Sequence, residues 1–225
     1  MTATDAPAVA TPSAAPLPST TAARWGAWML AVSPAYFVLV VITNISVLAA
    51  NDIPPFVDIT REQMDRISTG WILLSVLYCV AFILGGIGVA LLGTALARGR
   101  ISRWWAWAAT VVAIGSVVLY LPYAPFRIAA MAFTEDRLGD NRWYTFWEPM
   151  SYLGMDLAIT ATAFLCAALF AGTVRRRTGL VVGVIAVVYL VAAIALPMPP
   201  FVISFLWCAL GIVWLRSIRT GRTES

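Results

Sequence analysis

The chain contains no histidine and no lysine, so all 15 of its basic residues are arginine. Those two absences exclude histidine-ligated haem or zinc, histidine general bases, lysine Schiff bases to retinal or pyridoxal, and P-loop phosphate binding. Charge of either sign is scarce: 12% of the 225 residues are ionised, where a soluble domain has about 25%. The three cysteines, Cys79, Cys166 and Cys208, form no CxxC pair and fall inside apolar runs. They read as small apolar residues, which argues against a thiol oxidoreductase and against a structural disulfide. The HExxH signature cannot exist without histidine, and the paired aspartate-rich motifs that hold magnesium on a prenyl diphosphate are missing from the apolar runs. No metal or organic cofactor is therefore expected.

Hydrophobic residues make up 61% of the chain and the mean hydropathy is +0.85. The bilayer is the expected solvent, and the expected fold is an all-α polytopic transmembrane bundle of about six helices. Six stretches approach or exceed the ~20 apolar residues that cross a ~30 Å hydrocarbon core. They run from Trp25 to Ala50, Trp71 to Ala97, Trp104 to Tyr123, Met150 to Thr173, Gly179 to Leu196 and Phe201 to Leu215. The last two are short, and if the turn Pro197-Met198-Pro199-Pro200 were buried they would form one re-entrant pair. Residues 1–23 are rich in Ala, Pro, Thr and Ser, too polar to bury a core, and read as a disordered cytoplasmic tail rather than a signal peptide. The transmembrane domain is then 24–216, followed by a short basic tail at 217–225.

Arginine sets the orientation. With the N-terminus inside, ten arginines fall in the cytoplasmic segments and five in the outer loops, and the outer loops carry eight of the eleven acids. Both termini are thus expected in the cytoplasm of a bacterial cell membrane. The pI of about 9.3 reports this topology, with no soluble basic face for a nucleic acid; membrane lipids are the expected partners, and a protein partner is not specified.

Trp71, Trp104, Trp105, Trp107, Trp143, Trp147 and Trp214 lie near helix ends, where indole rings favour the headgroup region. Gly85, Gly86, Gly88 and Gly93, with Ala90, read as a surface for close helix approach. Pro34 is expected to bend the first helix. The first outer loop is expected to carry one short surface helix over Asp58–Arg66 with a Glu62–Arg66 pair. The aromatic outer segment around Trp143, Tyr144, Phe146 and Trp147 reads either as an interface helix or as a lid.

One ionisable residue lies within a span, and such residues are functional candidates by default. This is Asp156, which forms with Glu148, Tyr152 and Thr160 a series at steps of four along one helix side. Glu148 precedes Pro149, whose ring suits a first helical turn, so its carboxylate is placed to cap the helix start. Depth counted from the outer ends puts Asn44, Ser46, Ser75, Tyr78, Ser116, Tyr120, Tyr189 and Ser204 at a similar level, so the helices could converge on a polar, aromatic chamber opening outward. The bland alternative is that Asp156 bonds Asn44 and neighbouring tyrosines as glue between helices.

The segments "YLPYAPFRI", "FWEPMSYLGMDLA" and "ALPMPPFVISFLWCALGIVWL" resemble small six-helix bacterial membrane proteins without an assigned activity. In size, helix density and acids beside aromatic rings, the chain is also similar to the membrane-bound terpene cyclases of meroterpenoid pathways. Those enzymes typically have seven helices and two separated acids, so that resemblance implies only a reaction class: protonation of an olefin or epoxide in an apolar isoprenoid or lipid. In that reading Asp156 is the general acid, in the neutral form that apolar surroundings favour, and Glu148 tunes or reprotonates it. Tyr120, Tyr152, Tyr189 and Trp147 line the substrate site with Asn44, offering ring faces to cationic charge. The alternatives are a small proton- or cation-coupled transporter using Asp156, and a non-catalytic membrane subunit.

Overall fold

The computed structural model describes residues 17–54, 58–172, 175–195 and 202–220. Among the described residues the protein is an all-α bundle of seven α-helices: α1 (Thr21–Ala49), α2 (Arg61–Arg98), α3 (Arg103–Tyr120), α4 (Tyr123–Phe133), α5 (Arg142–Ala171), α6 (Arg176–Ala195) and α7 (Val202–Thr220). Six units are long and apolar enough to cross a membrane, with α3 and α4 together making the third, which makes this a multi-pass integral membrane protein. α6 and α7 are separate helices, each long and apolar enough to cross a membrane. The Pro197–Pro200 turn, Pro55, residues 1–16 and residues 221–225 lie outside the described residues.

Helix ends depart from the sequence reading in consistent ways. α1 begins at Thr21, within the segment assigned to the tail, because the Thr20 hydroxyl accepts from the Ala23 amide; it runs unbroken through Pro34. α7 continues to Thr220. The surface helix expected near Asp58–Arg66 is the first part of α2, started by a capping box between Thr60 and Gln63. The ion pair there joins Arg61 to Asp65 at 3.0 Å, not Glu62 to Arg66. The third helix stops at Tyr120, where Pro122 lacks the amide that would extend the ladder, and the chain resumes as α4. α5 starts at Arg142, capped by the Asn141 side chain, which accepts from the Trp143 and Tyr144 amides. Pro149 therefore sits inside the helix, and Glu148 does not cap it.

The helices pack in the order α7, α1, α2, α3, α5, α6, and both described chain ends lie at one end of the bundle. We call this the tail end and the other the α4 end. Lipid chains are as apolar as leucine, so what holds such helices together is close contact between them. The glycines of α2 supply it: Gly88 lies against Leu30 and Gly26 of α1, Gly86 against Val117 of α3, and Gly93 against Thr110. Gly85 leaves room for the ring of Trp207, which is fully buried, bonds Thr162 through Nε1 at 2.9 Å and meets Phe82 edge-on. A second, smaller core lies at the α4 end, built from Ile53, Met64, Ile67, Trp71, Ala130 and Leu138. It is tied by the Leu138 amide to the Ile59 carbonyl at 2.9 Å and by Arg61 Nη1, which donates to the Met131 and Thr134 carbonyls at the end of α4.

Candidate functional site

The densest polar arrangement is at the α4 end. Tyr123 and Arg127, four residues apart, share one side of α4, and Arg127 Nη1 donates to the Tyr123 hydroxyl at 2.9 Å. That hydroxyl donates to Glu148 Oε2 of α5 at 3.3 Å. α2 contributes Trp71: its ring lies 4.1 Å from the guanidinium carbon of Arg127, and its Nε1 donates to the Arg127 carbonyl at 3.0 Å. The indole thus holds both the backbone and the cationic head of one residue. Arg127 Nε is buried without a hydrogen-bond partner. Tyr144 and Tyr152, one turn to either side of Glu148, lie within electrostatic reach of it, as does Tyr78 on α2.

Asp156 is two turns further along α5, roughly 12 Å from Glu148 by helical rise. Its side chain is half-buried, and Oδ1 is fully buried with no hydrogen-bond partner. Tyr120 of α3 and Tyr189 of α6 lie within its electrostatic reach. Asp156 and these two tyrosines are therefore brought together, and Glu148 and Tyr152 are brought together beside them. The helix side that links the two groups is a polar edge, but Thr160 does not extend it, because its hydroxyl donates to the Asp156 backbone carbonyl at 2.7 Å.

Other expected site residues lie elsewhere or are occupied. Asn44 is on an exposed face of α1, a helix that packs against α2 and α7, so it is not the partner of Asp156. Tyr120 is a core residue: its hydroxyl donates to the Ser151 carbonyl at 2.8 Å and its ring stacks on Phe82 with centroids 4.3 Å apart. Trp147 stacks on Phe126 of α4 at 3.9 Å, with Nε1 buried and unbonded, which fastens α5 to α4 in the manner of neither a free lid nor a membrane anchor. Trp71 and Trp214 are buried as well, whereas Trp104, Trp105, Trp107 and Trp143 are exposed as interface residues would be. The region expected to hold a chamber is filled. Phe82, Tyr120, Tyr123 and Trp207 occupy it, while Ser75 and Ser116 turn their hydroxyls to the carbonyls of Trp71 and Gly154.

Tyr123 and Arg127 were not named as candidates by sequence, and Trp71 and Tyr144 were read only as membrane-interface or lid aromatics. Two four-residue spacings, Tyr123 to Arg127 and Tyr144 to Glu148, were the available signal, but the first straddled the expected end of the third span and the second lay in the outer loop. Chemically, the site offers a fixed carboxylate joined to a cation by a phenol, and a separate carboxyl with an unused oxygen. Comparison with known protein families, with curated proteins and with solved structures finds no match to this chain.

Proposed function

We propose that the protein is an intramembrane enzyme of the bacterial cytoplasmic membrane that isomerises an apolar isoprenoid-type lipid by acid catalysis. The observation that carries this reading is the buried Asp156 Oδ1 without a hydrogen-bond partner. A carboxyl serving as glue would spend its oxygens on neighbouring helices; this one holds an oxygen in reserve. The carboxylic acid protonates a double bond or epoxide, a second double bond closes on the resulting cation, and loss of a proton from carbon returns the acid to its starting form. The reaction is a net isomerisation and consumes no cofactor. In this reading Tyr152, half exposed on α5, and the buried Tyr189 would offer ring faces to cationic charge, and substrate would enter sideways from the lipid past Tyr152 and Leu153.

The test is mass spectrometry of lipid extracts from cells expressing the wild type or Asp156→Asn, fed a panel of isoprenoid alcohols and epoxides. A product made by the wild type and absent with Asp156→Asn is expected, with the thermal midpoint in detergent unchanged because Oδ1 makes no bond to lose. A product that persists in the variant, or identical extracts across the panel, overturns the reading and leaves a coupled transporter or a membrane subunit.

A further inference from the structure

At the tail end, away from Glu148 and Asp156, a groove of about 650 Å³ runs along α1 with Leu84 of α2 in its wall. Its other lining residues include Thr21, Arg24, Trp28, Val32 and Tyr36, which recur every three or four positions and so form one stripe on α1. From Thr21 to Tyr36 the stripe is about 22 Å long. A single leaflet, headgroup included, is about 20–22 Å deep. The polar and basic members, Thr21 and Arg24, are both at the end where α1 begins, and everything beyond them is apolar or aromatic.

Arg24 is exposed, and the Arg61–Asp65 pair is the one ion pair among the described residues, so no described carboxylate neutralises it. Its position is fixed from behind. Leu17 is buried, and the Pro18 carbonyl accepts from Trp214 Nε1 at 3.2 Å, which anchors the chain just before Thr20 caps the helix. An uncompensated guanidinium at the mouth of a leaflet-deep apolar groove matches one class of molecule, a phosphate head carrying acyl chains.

We infer that this groove binds one anionic glycerophospholipid, its phosphate on Arg24 and Thr21 and an acyl chain lying over Trp28, Val32 and Tyr36. The proposal does not depend on the acid chemistry of Asp156, and either can fail alone. It is tested by native mass spectrometry of the delipidated full-length protein, titrated separately with phosphatidylglycerol and phosphatidylcholine of the same chains. The wild type is expected to retain one phosphatidylglycerol with a preference of about five-fold over phosphatidylcholine. Arg24→Gln should remove the preference, while Arg103→Gln, at the same end but outside the groove, should keep it. Val32→Trp fills the groove and should weaken both lipids; if it alters the thermal midpoint, Trp28→Ala serves for the same loss. Equal binding of the two lipids by the wild type, or a preference that survives Arg24→Gln, overturns the inference.

Discussion

Arg127 and Glu148 are joined without touching: the Tyr123 hydroxyl stands between them, accepting from the guanidinium at 2.9 Å and donating to the carboxylate at 3.3 Å. Two opposite charges linked through a phenol keep their attraction while each retains a hydrogen bond, the one to the carboxylate being the longer, and the partners come from two different helices. The link fixes α4 to α5 at the place where α5 carries its acids.

Removing that hydroxyl leaves a carboxylate and a guanidinium short of a partner. Tyr123→Phe should lower stability by about 1–3 kcal/mol, the usual cost of an unsatisfied buried polar group. Tyr152→Phe, which deletes the hydroxyl of a half-exposed ring, should change little. Thermal unfolding in one detergent compares the two, and equal midpoints would remove the bridge from the account.

Gly85 faces the six-membered ring of Trp207 so closely that an added methyl would overlap it. The indole is also bonded to Thr162 and packed on Phe82, so it has little freedom to retreat. Gly85→Ala should destabilise by about 1–3 kcal/mol. In a Trp207→Leu background the same change should cost markedly less, and a double-mutant cycle measures the coupling. Additive effects would show that the two residues do not constrain each other.

We propose from the arginine distribution that the tail end faces the cytoplasm. After replacement of Cys79, Cys166 and Cys208, an impermeant thiol reagent should label Glu135→Cys in intact cells. It should label Arg176→Cys only after permeabilisation; both positions are exposed, so accessibility does not confound the comparison. The reverse pattern would invert the topology.

The spans and the glycine contacts of α2 were legible because both are local: hydropathy sums along one stretch, and small residues at helical spacing stay on one face. Asp156 was legible for the same reason, as a lone charge in an apolar run. Arg127 was not. A hydropathy count treats an arginine as the end of a span, whereas its setting here depends on Trp71, 56 positions earlier and on another helix. Asn44 shows the converse error: depth counted along a helix gives height in the membrane but not azimuth, and at its height Asn44 faces outward. Pro149 misled because proline favours a first turn, while Asn141 offered a stronger cap one helical segment earlier.

α2 is 38 residues long, about 57 Å at helical rise, nearly twice the hydrocarbon thickness. Its excess carries the second core, Met64, Ile67 and Trp71 with Ala130 and Leu138, which is separate from the main one. Two cores on one continuous rod divide the molecule into two cooperative units of unequal strength. The small unit should open and reclose while the bundle stays folded, so amides of Ile128–Phe133 should exchange with solvent deuterium earlier than those of Ala158–Leu169. Tyr123 packs in the main core while Ala130 belongs to the small one, so α4 crosses the boundary between the units, and the phenol bridge keeps the start of α4 on the bundle while its far end opens.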